Sequence, residues 1–103
     1  VTLEKDFAKQ VEMILDYRGW LWKHDEPARR QSGKWATAMK GTKGFPDYIA
    51  VRDDRIVLAE LKSEKGRLSE EQRQWLTSLE GTGKVEVYVW RPQDLSRIGE
   101  ILR

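Results

Sequence analysis

The sequence contains no cysteine, which removes disulfide frameworks, thiolate metal sites and thiol nucleophiles together. That absence is compatible with an intracellular setting. A single histidine, His24, leaves little scope for a nucleophile–histidine pair, and the residue reads as structural or surface. Apolar runs are no longer than four or five residues, far short of the stretch needed to span a bilayer. No charged-then-apolar signal opens the chain, so a cytoplasmic location is expected. Val1 stands at the start without a methionine, which leaves the native N-terminus open. Charge of one sign is also lacking: 35% of residues are charged, yet the net charge is only +2. A partner of negative charge would therefore have to be recognised by local basic patches.

What remains is enough for one domain. The chain has 103 residues, of which 39% are hydrophobic, sufficient for a real core. Residues 3–18 read as an amphipathic helix, with Leu3, Phe7, Val11, Ile14 and Leu15 at helical spacing and Gly19 as the stop. Trp20, Leu21 and Trp22 lead a strand. Residues 25–45 lack periodicity and read as a long loop or an irregular strand, of the kind that is often functional. Two strands at about 46–52 and 55–62 follow, joined at Asp53-Asp54. Residues 69–80 form a helix capped by Ser69, with Leu68, Trp75, Leu76 and Leu79 inward. Val85–Trp90 is a further strand, and Pro92 and Asp94 open a last helix. A mixed sheet flanked by helices is expected, in the order αβββαβ with a closing helix, an α/β fold.

The hairpin carries the chemistry. With Asp53-Asp54 as a two-residue turn, Arg52 faces Arg55, Val51 faces Ile56, Ile49 faces Leu58, and Asp47 faces Glu60. Side chains directly opposite on one face lie roughly 4.5–5.5 Å apart at Cβ. Two carboxylates that close repel unless a positive charge sits between them, and a hard divalent cation suits their oxygens. Lys62 shares the face of Glu60 one step on, and the backbone carbonyl of Leu61 can turn toward the same ion. Ile49, Val51, Ile56 and Leu58 are expected to continue that face as core, while Tyr48, Ala50, Val57, Ala59 and Leu61 make the other face largely apolar as well, so that helices should cover both sides. A bulge at the Asp-Asp turn would shift this pairing. Two carboxylates and an amine around one metal suit phosphodiester hydrolysis, since the ion polarises the phosphate and acidifies bound water.

The same residues resemble a known family. Pro46-Asp47 followed by Glu60-Leu61-Lys62 is similar to the signature of PD-(D/E)XK nucleases. Gly44-Phe45-Pro46-Asp47, the triplet Glu60-Leu61-Lys62, the run Lys65-Gly66-Arg67-Leu68-Ser69 and Gln72 resemble its VRR-NUC branch, over about Leu3 to Trp90. The resemblance implies a restriction-endonuclease-like core and a DNA endonuclease dependent on Mg²⁺, with Mn²⁺ able to substitute. It implies that Asp47, Glu60 and the Leu61 carbonyl ligate the metal while Lys62 serves catalysis. Short stand-alone members resemble phage or bacterial enzymes that act as homodimers on branched DNA such as four-way junctions.

Several residues carry competing readings. Glu4 lies on the stripe of Phe7 and Val11, where it either steadies the helix dipole or, as the family's helix glutamate implies, joins the metal shell, directly or through water. Gln72 completes a capping box with Ser69, yet the resemblance gives it a place in the active site. Arg29, Arg30, Lys34, Lys40 and Lys43, and beyond the hairpin Lys65 and Arg67, are either solvated charges or phosphate contacts for DNA. Trp35, among the basic residues of the long loop, is the tryptophan placed to stack on a base.

Overall fold

A computed structural model describes residues 4–25, 28–29, 35–36 and 39–103, with backbone alone at residues 4, 28–29 and 35–36. Helix α1 spans Glu4–Tyr17. It forms because Phe7, Val11 and Leu15 recur at one-turn spacing and are all but completely buried, with Ala8 and Ile14 packed beside them. It ends at Gly19, whose φ is +76°. There the Gly19 N–H donates to the Asp16 carbonyl at 3.1 Å and the Trp20 N–H to the Leu15 carbonyl at 2.9 Å. These are the two bonds of a Schellman motif, with buried Leu15 and Trp20 as its apolar clasp.

Strand β1 (Leu21–His24) follows at once. The aperiodic segment after it contains a short ladder, β2 (Ala28–Arg29) against β3 (Trp35–Ala36), antiparallel and separate from the main sheet. The main sheet continues with β4 (Tyr48–Arg52) and β5 (Arg55–Leu61). Helix α2 (Glu70–Gly81) then carries the chain across to β6 (Glu86–Trp90). A 3₁₀ turn at Pro92–Asp94 leads into α3 (Leu95–Ile101). The sheet order is β1-β4-β5-β6, antiparallel except that β5 and β6 run parallel. The architecture is α/β, a four-stranded mixed sheet flanked by helices, consistent with a restriction-endonuclease-like fold. No helix among the described residues is long and apolar enough to cross a membrane.

The hairpin register is the expected one, with Arg52 opposite Arg55, Val51 opposite Ile56 and Ile49 opposite Leu58. Asp53 takes the turn at φ +55°, a conformation that favours glycine. Two expectations are corrected. First, β4 starts at Tyr48, not 46, and the ladder ends at the Tyr48–Ala59 pair. Asp47 and Glu60 therefore sit one step beyond it. Pro46 has no N–H to offer a ladder, and at Asp47 the side chain takes over the pairing, as described below.

Second, the two faces are not equally covered: the face expected to continue as core beside Glu60 is the poorer one, and the main core lies on the other apolar face. Tyr48, Ala50, Val57, Ala59 and Leu61 are buried against Phe7, Val11 and Leu15 of α1 and Ile98 of α3. On the Glu60 face Leu58 is buried, but Ile49 and Val51 are half-buried and Ile56 is exposed. The reason is coverage: two helices overlie the first face, whereas on the second α2 seals little beyond Leu58 and buries only Leu76 of its own residues.

The turn end of the hairpin is closed by charge. The Trp20 indole donates to the Leu102 carbonyl at 2.9 Å, and the guanidinium groups of Arg52 and Arg55 lie 4.5 and 5.0 Å from its ring centroid. Arg52 donates to the carbonyls of Arg18, Leu102 and Arg103. Arg55 grips Glu86 through two bonds of 2.7 Å, which holds the Glu86 carboxyl below its usual range. The other end of the sheet is open.

Candidate active site

At the open end the ladder is finished by a side chain. Asp47 Oδ2 accepts the Leu61 N–H at 2.8 Å, a bond that β4 can no longer supply from its backbone. This pins the Asp47 carboxylate beside the end of β5, where Glu60 and Lys62 flank Leu61. Glu60 is the only charged residue buried among the described residues, 2% exposed. Its Oε2 accepts from Gln72 Nε2 at 3.0 Å and lies 4.0 Å from Lys62 Nζ. Its Oε1 is buried without a hydrogen-bond partner among the described residues. Burial first, and then the neighbouring Asp47 carboxylate, push the Glu60 carboxyl up to about 8, and the attraction of Lys62 offsets only part of that.

Helix α2 sets this geometry twice. Gln72 completes the capping box, its N–H bound to Ser69 Oγ at 3.1 Å and its Oε1 accepting the Ser69 N–H at 2.9 Å. Its Nε2 is thereby left to reach Glu60, so the cap and the site use opposite ends of one amide. One residue earlier, Glu71 contacts the loop that carries Asp47. Gly44 has φ +101°, and a Cβ there would meet the Glu71 carbonyl carbon at 2.7 Å and the Gln72 nitrogen at 2.9 Å. No side chain fits between loop and helix at that point. The glycine of Gly44-Phe45-Pro46-Asp47 is thus a docking contact. Phe45 stacks edge-on against Trp75, ring centroids 5.0 Å apart, and the Trp75 indole donates to the carbonyls of Thr42 and Lys43 at 3.1 Å.

The structure thus brings Asp47, Glu60, Lys62 and Gln72 into one constellation. Among the described residues no group of three or more His, Cys, Asp and Glu side chains converges to hold a metal. The donors on offer are the two carboxylates and the Leu61 carbonyl, a hard oxygen set suited to a small divalent cation. An unpartnered carboxylate oxygen buried beside a second carboxylate is the arrangement such an ion would complete. The side chain of Glu4 lies outside the described residues, as do those of Arg29 and Trp35 and all of Arg30 and Lys34. Lys40, Lys43, Lys65 and Arg67 are exposed. The first two lie on the loop before Asp47 and the others on the loop after Lys62.

A second group was not singled out from the sequence. On the α1 side of the sheet a cavity of about 450 Å³ is lined by Lys5, Lys9, Glu12, His24, Asp47 and Tyr48, among others. The Tyr48 hydroxyl donates to the Glu12 carboxylate, and His24 lies 4.4 Å from the Tyr48 ring. The signal was present in the spacing, since Lys5, Lys9 and Glu12 follow one another at helical intervals on the stripe that meets the sheet end. What hid it was Tyr48, which periodicity assigns simply to the apolar face.

A family model described as the VRR-NUC domain, a nuclease domain of the PD-(D/E)XK superfamily, matches residues 5–93. Neither the curated proteins nor the solved structures include a match to the chain.

Proposed function

The chain belongs to the VRR-NUC domain family, and from that membership we propose that it is a metal-dependent endonuclease that hydrolyses DNA phosphodiester bonds. A nuclease-type role in DNA processing comes with the family. The finer reading rests above all on one observation: Glu60, buried to 2% exposure beside Asp47, keeps one carboxylate oxygen without a partner among the described residues. A buried polar atom left unsatisfied costs about 1–3 kcal/mol, more when charged. A buried carboxyl held this close to a second carboxylate is an oxygen pair that a hard divalent cation would suit.

Asp47, Glu60 and the Leu61 carbonyl would hold Mg²⁺, with Mn²⁺ as a substitute, and Glu4 would join them through water. When bound, the ion supplies Lewis-acid polarisation of the phosphate and a more acidic water. The protein's own groups do the rest. Gln72 fixes the rotation of the Glu60 carboxylate through its amide. The Asp47–Leu61 bond keeps Asp47 from turning away. Lys62, its side chain 20% exposed, presents an ammonium group that orients the attacking water and balances the charge growing on the phosphorane. Lys40, Lys43, Lys65 and Arg67, together with Arg29, Arg30 and Lys34, would contact phosphates. A domain of this size grips little DNA alone, so a homodimer acting on branched DNA such as a four-way junction follows from the same reading, inside the cell where that DNA is.

The test is cleavage of plasmid, flap and four-way-junction DNA in Mg²⁺ or Mn²⁺ by the wild type and by Lys62→Ala. Cutting by the wild type alone supports hydrolysis at this site. Binding by both with cutting by neither makes the domain a nuclease-fold module that grips DNA without breaking it. The mass from light scattering decides the dimer.

A further inference from the structure

The loop leaving β5 gathers cations that nothing neutralises among the described residues. Lys65, Arg67, Arg73 and Arg91, with Gly66 and Leu68, line a hollow of about 340 Å³ to which Glu64 adds a carboxylate. None of the four cations comes within 4.0 Å of a carboxylate among the described residues. The contrast with the turn end of the hairpin is sharp, for there Arg52 and Arg55 are saturated by carbonyls and by Glu86. Arg91 is held by backbone carbonyls as Arg52 is, but Lys65, Arg67 and Arg73 make no side-chain bond among the described residues and are poised for an external anion.

The hollow is also built. Arg91 Nη1 donates to the carbonyls of Ser63 and Gly66, both at 2.7 Å, tying the loop to the end of β6. The Lys62 N–H donates to the Trp90 carbonyl at 2.9 Å, so that loop and strand end are locked in one frame. The Gly66 N–H donates to the Ser63 carbonyl at 3.3 Å, which closes the turn. The cationic rim is therefore carried on a braced platform that starts where the Lys62 strand ends.

We propose that this hollow binds a backbone phosphate of the DNA strand being cut, on the side of the scissile bond that faces α2. The proposal rests on the nuclease reading above and adds Arg73 to the substrate contacts, with Arg91 as the brace beneath them. Lys65 is at most about 10 Å of chain from Lys62. At a rise of about 3.4 Å per nucleotide, the phosphate concerned lies about one to three nucleotides from the cut. Arg67 and Arg73 supply the forked donors that match phosphate oxygens, and Arg91 holds the floor.

The experiment uses a fluorescein-labelled DNA four-way junction with Ca²⁺ in place of Mg²⁺, and a set of the same junctions each carrying one neutral methylphosphonate. The wild type should lose about tenfold in affinity at one position flanking the scissile phosphate. The Arg67→Ala, Arg73→Ala double variant changes two exposed side chains and should melt like the wild type. It should bind the unmodified junction about tenfold more weakly, with a log–log salt slope lower by about one per lost contact. It should also be indifferent to the methylphosphonate that hurts the wild type. A variant with the wild-type slope and the wild-type methylphosphonate profile overturns the proposal, even if both proteins cut in Mg²⁺. If the position-specific loss appears and no metal supports cutting, the hollow stands and the hydrolytic reading falls.

Discussion

The substitution Glu60→Gln should make the metal-free protein more stable and abolish binding of the proposed metal. The oxygen of the introduced amide can accept from Gln72 as Glu60 Oε2 does, while its nitrogen offers donors where Oε1 had no partner. The carboxyl of Glu60 stands at about 8 in the fold against an ordinary 4.5. Between those values the folded chain holds a proton that the unfolded chain has released. Its contribution is complete below pH 4.5 and is lost as pH rises through 8, at about 1.36 kcal/mol per unit. At pH 7 the wild type has forfeited most of that contribution, on the order of a few kcal/mol, which the glutamine variant keeps. For a domain of this size that is a difference in Tm on the order of 10–20 °C. Manganese should close the gap from the other side: at a hundredfold excess over Kd it stabilises the wild type by about 2.7 kcal/mol and leaves the variant unmoved. Thermal melts of both proteins from pH 5 to 8.5, in EDTA and in Mn²⁺, decide the matter. A metal-free wild type whose Tm is flat across that range, or a variant that melts below it at pH 7, refutes the reasoning.

Gly44→Ala should cost about 2–3 kcal/mol, because the added methyl meets α2 at 2.7–2.9 Å. Cleavage should fall further than stability does, and activity measured well below the melting point separates the two. Asp47→Asn retains an oxygen for the Leu61 N–H and should melt near the wild type yet fail to bind Mn²⁺. Asp47→Ala should in addition lose about 1–3 kcal/mol from the orphaned N–H, a difference that denaturant titration resolves. Asp53→Gly relieves a positive φ and should stabilise the protein by about 1 kcal/mol with catalysis unchanged, read from parallel melts and cleavage rates.

Much of this was legible because it is local. The stripe of Phe7, Val11 and Leu15, the glycine stop after it, the Ser69 cap and the two-residue turn at Asp53-Asp54 each declare themselves within a few residues. The hairpin register followed from the turn, and with it the approach of Asp47 to Glu60. What escaped depends on distant chain. Whether a hairpin face is core depends on which helices overlie it, and that is settled by the crossover through α2 and the return of α3, not by alternation. The ladder of β2 and β3 has too few residues to show a period. Gly44 reads as loop punctuation until Glu71 is placed against it, and nothing local to Arg91 shows that its guanidinium reaches the carbonyls of Ser63 and Gly66. Tyr48 counted as apolar, yet its hydroxyl is what reaches Glu12.

The seat of α2 has a broader implication for altering this domain. Because the helix touches the Asp47 loop at Gly44 and grips Glu60 at Gln72, the spacing of the two acids is gauged by a third body that carries neither. A designer who wishes to alter the distance between the two carboxylates gains little by exchanging the acids themselves. Tilting that helix by repacking Leu76 or Leu79 beneath it would move both acids at once, like a single screw that adjusts two jaws.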